Sequence, residues 1–217
     1  MSNINYKFIL LGNPGVGKSS IFRYLSSGCF KADTISTIGV DKKTLYYSYE
    51  IEELQKKKKI KRVKKDFTIS LFDTSGQERY RAITRNYYKS AEGILLLYDI
   101  TNRNSFESVE SWIEQIKSSI SGKLQSDYLI LLIGNKLDLV KENISERKVT
   151  EKEAKDICNK YDIIWGEEQS IKDIKFEELN KLFERYVKLV YNTVGDKNKK
   201  KQKEIKVDKY KKKRKCI

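Results

Sequence analysis

Short apolar runs alternate with longer amphipathic stretches along this chain of 217 residues. Lys7 to Leu11 (KFILL) reads as a strand, and Lys18 to Ser27 as the helix after it. Thr44 to Ile51 and Phe67 to Phe72 read as the arms of a hairpin with a lysine run at its tip. Gly93 to Tyr98 (GILLLY) and Tyr128 to Gly134 (YLILLIG) have strand length. Between them, Ser105 to Ile120 places Phe106, Val109, Trp112, Ile113 and Ile116 on one helical face. A helix from about Thr150 to Tyr161, a short strand from Ile163 to Trp165, and a helix from about Lys175 to Tyr191 complete the pattern. The last helix should bury Leu179, Leu182, Phe183, Tyr186 and either Leu189 or Val190. The alternation predicts an α/β fold: a doubly wound, mostly parallel six-stranded sheet with one antiparallel hairpin strand.

Composition adds limits to this picture. With 39% hydrophobic and 35% charged residues, the chain suits one domain with a short appendage. The periodicity stops after Gly195, so the expected division is a domain over 1–195, with a lysine-rich insertion near 52–65, and a polybasic flexible tail over 196–217. No apolar run approaches the roughly 20 residues of a membrane span. The opening residues lack a basic leader and a small-residue cleavage site, which predicts a chain that stays in the cytosol. Cys29, Cys158 and Cys216 match no zinc or disulfide spacing, so reduced thiols are expected. The absence of histidine excludes a catalytic His, a His metal site and a His pH switch.

The formal charge of +15 is concentrated in two places. Residues 56–65 (KKKKIKRVKK) carry eight basic and no acidic side chains, residues 197–217 carry a net +10, and the remainder is therefore at −3. The body is not basic, and no aromatic residues interleave with the basic ones as base stacking requires, so nucleic acid is not an expected partner. For 56–65 three readings stand: general lysine bias, a solvated loop, or contact with anionic lipid or an acidic partner.

Three motifs carry chemistry. Gly12 to Ser19 (GNPGVGKS) fits G-x-x-x-x-G-K-[ST] between a strand and a helix. Side-chain-poor backbone there lets amide N–H groups converge on phosphate oxygens at a helix N-terminus, while Lys18 neutralises charge and the Ser19 hydroxyl ligates Mg²⁺. The candidate phosphate binders are thus Gly12, Asn13, Pro14, Gly15, Val16, Gly17, Lys18, Ser19 and Ser20. Asn135 to Asp138 (NKLD) follows an apolar strand, where side chains project at the ligand-binding edge of a parallel sheet. A carboxylate at Asp138 can accept two hydrogen bonds from the N1–H and N2–H₂ of guanine, which adenine lacks. Asp73 to Glu78 (DTSGQE) ends another predicted strand.

These motifs, together with STIGVD (Ser36 to Asp41), YRAIT (Tyr80 to Thr84), YYKSAEG (Tyr87 to Gly93) and LLYDIT (Leu96 to Thr101), stand in one order along residues 6–191. In that order the sequence resembles the Ras-like small GTPases, and among them the Rab family, which implies a P-loop NTPase fold. The resemblance implies that Thr37 binds Mg²⁺ and meets the γ-phosphate, that Asp73 holds Mg²⁺ through water, and that the Gly76 N–H contacts the γ-phosphate. It makes Gln77 the residue that orients the attacking water, with Lys18 beside it as the catalytic cation. Phe30 stacks on guanine in this reading, with a core aromatic under the first helix as the alternative, and Lys136 packs beside the base. The implied ligands are GTP or GDP with Mg²⁺. The implied partners are a GAP, an exchange factor, effectors and a prenyl-binding chaperone acting on a monomer that attaches reversibly to the cytosolic face of an intracellular membrane. No cis-acting arginine finger is evident, so slow intrinsic hydrolysis is expected. A nucleotide-binding docking scaffold with little hydrolysis is the alternative.

The chain departs from the family pattern at several points. Glu168 to Lys172 (EQSIK) stands where the family has a guanine-contacting loop, keeping Ser170 and Lys172 but placing Ile171 where a small residue is usual. A looser guanine site is expected there. Pro14 brings a fixed φ and no N–H. Lys42 occupies the place of a phenylalanine in an aromatic triad completed by Phe72 and Tyr87, which puts the usual effector surface in doubt. The hairpin is longer than the family norm. The tail ends KKKRKCI, with Cys216 next to last as the lipidation candidate and the basic tail as a second membrane signal.

Overall fold

The computed structural model describes residues 3–28, 30, 39–54, 60–75, 87, 90–120, 122 and 127–195. Six strands form one sheet in the order β2-β3-β1-β4-β5-β6. They are β1 (Asn3–Leu11), β2 (Val40–Leu54), β3 (Ile60–Thr74), β4 (Gly93–Asp99), β5 (Leu129–Asn135) and β6 (Ile164–Glu168). Only β2 runs antiparallel to its neighbour, so the doubly wound, mostly parallel sheet read from the sequence is the fold of the protein. The helices are α1 (Lys18–Ser27), α2 (Arg103–Ser119), α3 (Leu137–Glu142), α4 (Glu151–Tyr161) and α5 (Phe176–Val194).

Alternation along the central strands feeds two cores. In β4, Leu95 and Leu97 join a cluster containing Ile21 and Leu25 of α1 and Phe183, Val187 and Val190 of α5. Ile94, Leu96 and Tyr98 face the other way, into a cluster with Phe106, Trp112 and Ile113 of α2 and Ala154 and Cys158 of α4. Continuous apolar strands are what a sheet covered on both faces requires. Helix ends are set locally. Thr150 and Glu153 form a capping box at the start of α4, Asn102 accepts from the Ser105 N–H at the start of α2, and Gly28 ends α1 in the left-handed region. Of the residues expected inside on α5, Leu179, Phe183, Tyr186 and Val190 are buried and Leu182 and Leu189 are half-buried, while Val187 and Val194 are buried as well.

The hairpin differs most from expectation. Its strands pair without a break from Val40 opposite Thr74 to Leu54 opposite Ile60. Residues 60–65 of the lysine run are therefore strand rather than tip, because acids on β2 stand opposite their cations. Glu50 pairs in register with Lys64 and Glu52 with Arg62, the latter at 3.3 Å. On the opposite face Ile51 is buried, Tyr47 packs on Phe183 with ring centroids 5.6 Å apart, and Phe67 meets Tyr191 edge-on at 5.8 Å. The ribbon thus has a core side against α5 and a charged side. Thr37, Gly76, Gln77, residues 56–59 and the tail with Cys216 lie outside the described residues.

Candidate functional site

Parallel pairing brings the carboxyl ends of β1, β3, β4, β5 and β6 to one edge, and chemistry-bearing residues follow each of them. After β1, residues 12–17 turn sharply into α1. A Cβ on Gly12 would lie 2.2 Å from the Leu97 carbonyl oxygen, and one on Gly17 would lie 2.1 Å from the Asn135 Nδ2. Both residues also have positive φ, so glycine is demanded twice over at each. Val16 is buried, whereas Pro14 and Gly15 are exposed at the crest of the loop.

Lys18 is buried, and its Nζ donates to the Gly12 and Asn13 carbonyls at 2.9 and 2.8 Å. Burial lowers its pKa from 10.5 to about 8, and the nearby Asp73 carboxylate acts against that shift. The next residue, Ser19, donates its hydroxyl to Asp73 Oδ2 at 2.5 Å, across 54 positions of sequence. A hydroxyl and a carboxylate meeting beside an amide-lined turn are the hard oxygen donors that Mg²⁺ favours, so these residues fit that ion. Thr74 keeps the end of β3 in place by donating to the Leu10 carbonyl at 2.7 Å.

Asn135 links the loops. Its Nδ2 donates to the Val16 carbonyl at 2.8 Å, and its Oδ1 accepts from the Ile171 N–H at 3.2 Å. One side chain therefore joins the phosphate-loop candidate to NKLD and to EQSIK. Asp138 is buried, with Oδ1 accepting from the Ser170 hydroxyl at 2.9 Å and Oδ2 3.7 Å from the Lys172 ammonium. Lys136 adopts φ 70° and reaches Asp99 Oδ2 at 2.7 Å, from the end of β4. Ile171 turns its side chain into the core at 2% exposure, so the larger residue is accommodated away from the loop surface. Phe30 packs under α1, edge-on to Tyr24 at 6.3 Å, and Ser20 lies half-buried in the first turn of α1.

Some contributors were not visible in the motifs. Arg147 clamps Glu168 with two bonds of 2.7 Å, fixing the residue that opens EQSIK; the carboxylate at the head of that loop was the only sequence signal. The Asp99 partner of Lys136 and the side-chain bonds of Asn13 to α2 were also missed. On the outer face of the sheet, Lys42 is exposed with its ammonium 5.7 Å from the Phe72 ring, and Phe72 contacts Tyr87 at 5.2 Å. The Lys7 ammonium lies 4.5 Å from both of those rings.

Comparison with known proteins covers the same span. A model described as the Ras family matches residues 7–192. The chain is 35% identical over 192 residues to "Ras-related protein RGP2" of Oryza sativa subsp. japonica, which covers 88% of this chain and 77% of that protein. It is 36% identical over 155 residues to "Ras-related protein Rab-26" of Bos taurus (71% of this chain, 54% of that one), and 32% identical over 193 residues to "Ras-related protein RABA4b" of Arabidopsis thaliana (89% and 75%). The chain thus spans about half of bovine Rab-26 and about three quarters of the two plant relatives. Sheet order, loop geometry and these likenesses converge on one conclusion: the chain belongs to the Ras family, as a small GTPase of Rab type.

Proposed function

We propose that this small GTPase binds GTP and GDP with Mg²⁺ at the carboxyl edge of its sheet and hydrolyses GTP slowly on its own. The observation that carries the reading is the pair of hydrogen bonds made by the Asn135 side chain, which makes the phosphate loop and the base-reading loops one unit. Asp138, oriented by Ser170, presents a carboxylate to the paired donors of guanine. Loop amides and Lys18 hold the phosphates and stabilise charge as the γ-phosphoryl transfers. Ser19, Asp73 and Thr37 would hold Mg²⁺, which when bound neutralises charge on the β- and γ-phosphates. Gln77 orients the attacking water, and a GAP supplies a further cation for the charge that develops in the reaction. Loss of the γ-phosphate then releases the segments around Thr37 and Gly76.

The relatives' Rab names and the polybasic tail support a membrane-recruited role in vesicle traffic, with an exchange factor, effectors and a prenyl-binding chaperone as partners. Among the described residues no helix is long and apolar enough to cross a membrane. Attachment would rest on a lipid at Cys216 and on the net +10 of residues 197–217.

Single-turnover hydrolysis of GTP tests the enzymatic reading. Gln77→Leu should keep GTP binding and lose most hydrolysis; an unchanged rate would remove Gln77 from its role. A wild-type chain that binds GTP yet never turns it over, with or without a GAP, would favour the docking scaffold. The mass of the C-terminal peptide from native cells reads Cys216 directly.

A further inference from the structure

Trp112 looks like an ordinary core residue, at 1% exposure on the apolar face of α2, yet its indole N–H is directed at the phosphate loop. It donates to Asn13 Oδ1 at 2.9 Å, across 99 positions of sequence. The same amide donates from Nδ2 to the Ser108 hydroxyl oxygen at 2.9 Å, and Ser108 donates in turn to the Asn104 carbonyl at 2.8 Å. We propose that Trp112 and Ser108 are positioning residues for the phosphate loop, acting through the Asn13 side chain. This inference rests on the nucleotide-binding reading above.

The polarity of the chain of bonds is fixed. An indole N–H only donates, so the atom facing it must be an acceptor. The Ser108 hydroxyl spends its proton on Asn104, so it must receive one from residue 13. A carboxamide meets both demands at once. A carboxylate meets the first, and meets the second only if Ser108 gives up its bond to the helix.

The tether falls where the loop needs one. Asn13 lies between Gly12, at φ 133°, and Gly15, at φ 77°, the residue type with the most backbone freedom to lose. Its own carbonyl receives the Lys18 ammonium at 2.8 Å. Asn135 secures the far half of the loop through the Val16 carbonyl, and Asn13 secures the near half to α2. A cradle held at both ends is already in shape when phosphate arrives, which slows nucleotide release more than it speeds capture.

Release of a fluorescent GDP analogue from the full chain in Mg²⁺ tests this, with Trp112→Phe, Asn13→Ala, their double variant and Asn13→Asp. Trp112→Phe and Asn13→Ala should each speed release by about fivefold to tenfold, as loss of one or two partly buried hydrogen bonds implies. The double variant should be no faster than Asn13→Ala, because both changes remove one shared bond. Asn13→Asp should fall between wild type and Asn13→Ala. Release of the inosine analogue should rise by the same factor as that of GDP, since base contacts are untouched; a generally loosened fold would alter that ratio. Release within twofold of wild type in both single variants, additive effects in the double, or a changed ratio would overturn the inference. A wild-type chain that holds no GDP would overturn the underlying reading instead.

Discussion

The carboxyl edge of the sheet and the β2–β3 hairpin are built on opposite plans. At the edge, polar side chains reach partners far away in sequence and wholly or partly under cover: Asn135 with Val16 and Ile171, Ser19 with Asp73, Asp138 with Ser170. Along the hairpin, charge meets charge directly across one turn, in solvent, as with Glu52 and Arg62 at 58% and 73% side-chain exposure. Buried polar groups must be satisfied by particular atoms, whereas exposed ion pairs contribute little and tolerate exchange. Substitution should therefore be costly at the edge and cheap on the ribbon's charged face.

Gly17→Ala should show the contrast at its greatest. A Cβ at φ 101° would lie 2.1 Å from the Asn135 amide nitrogen. Both the turn and the link between loops are lost, with GDP affinity down by about 100-fold or more in calorimetry. The hairpin then divides by face. Ile51→Ala removes a side chain at 3% exposure from the α5 side and should cost about 2–4 kcal/mol in denaturant unfolding. A cost near zero would mean that the ribbon beyond β1 is not part of the core.

Thr150→Ala supplies a control from neither region. Loss of the α4 cap should cost about 1 kcal/mol at neutral pH. Glu153 makes that cost pH-dependent. The Thr150 backbone N–H, then Arg103, then the Thr150 hydroxyl hold its carboxyl down from 4.5 to about 2. Its stabilising effect is complete above the unfolded value of 4.5 and is lost as pH falls towards 2, so the gap between variant and wild type should narrow through that window. Smallest of all, Arg62→Ala should change stability by under about 0.5 kcal/mol.

The contrast also explains what could be read without coordinates. Strand runs such as GILLLY and the glycines of GNPGVGKS constrain backbone locally, so their elements were legible to within a few residues. Asp138 was legible because its carboxylate has a chemical purpose at a strand end. Arg147 was not: its two bonds to Glu168 span 21 residues and depend on how β6 docks beside β5. The Asn13–Trp112 bond escaped for the same reason, since periodicity marks Trp112 as apolar and says nothing of its N–H. The hairpin was underestimated because charged strand residues hide the period-two pattern, although Tyr47, Tyr49, Ile51 and Val63 continue it on the inner face.

Competition among GDP, IDP and ADP for the full-length wild-type chain in Mg²⁺ tests the central claim most directly. If Asp138 and the loops joined by Asn135 read guanine, GDP binds best, IDP loses roughly tenfold with the missing N2 amino group, and ADP loses about a thousandfold or more. ADP binding as tightly as GDP would contradict the account.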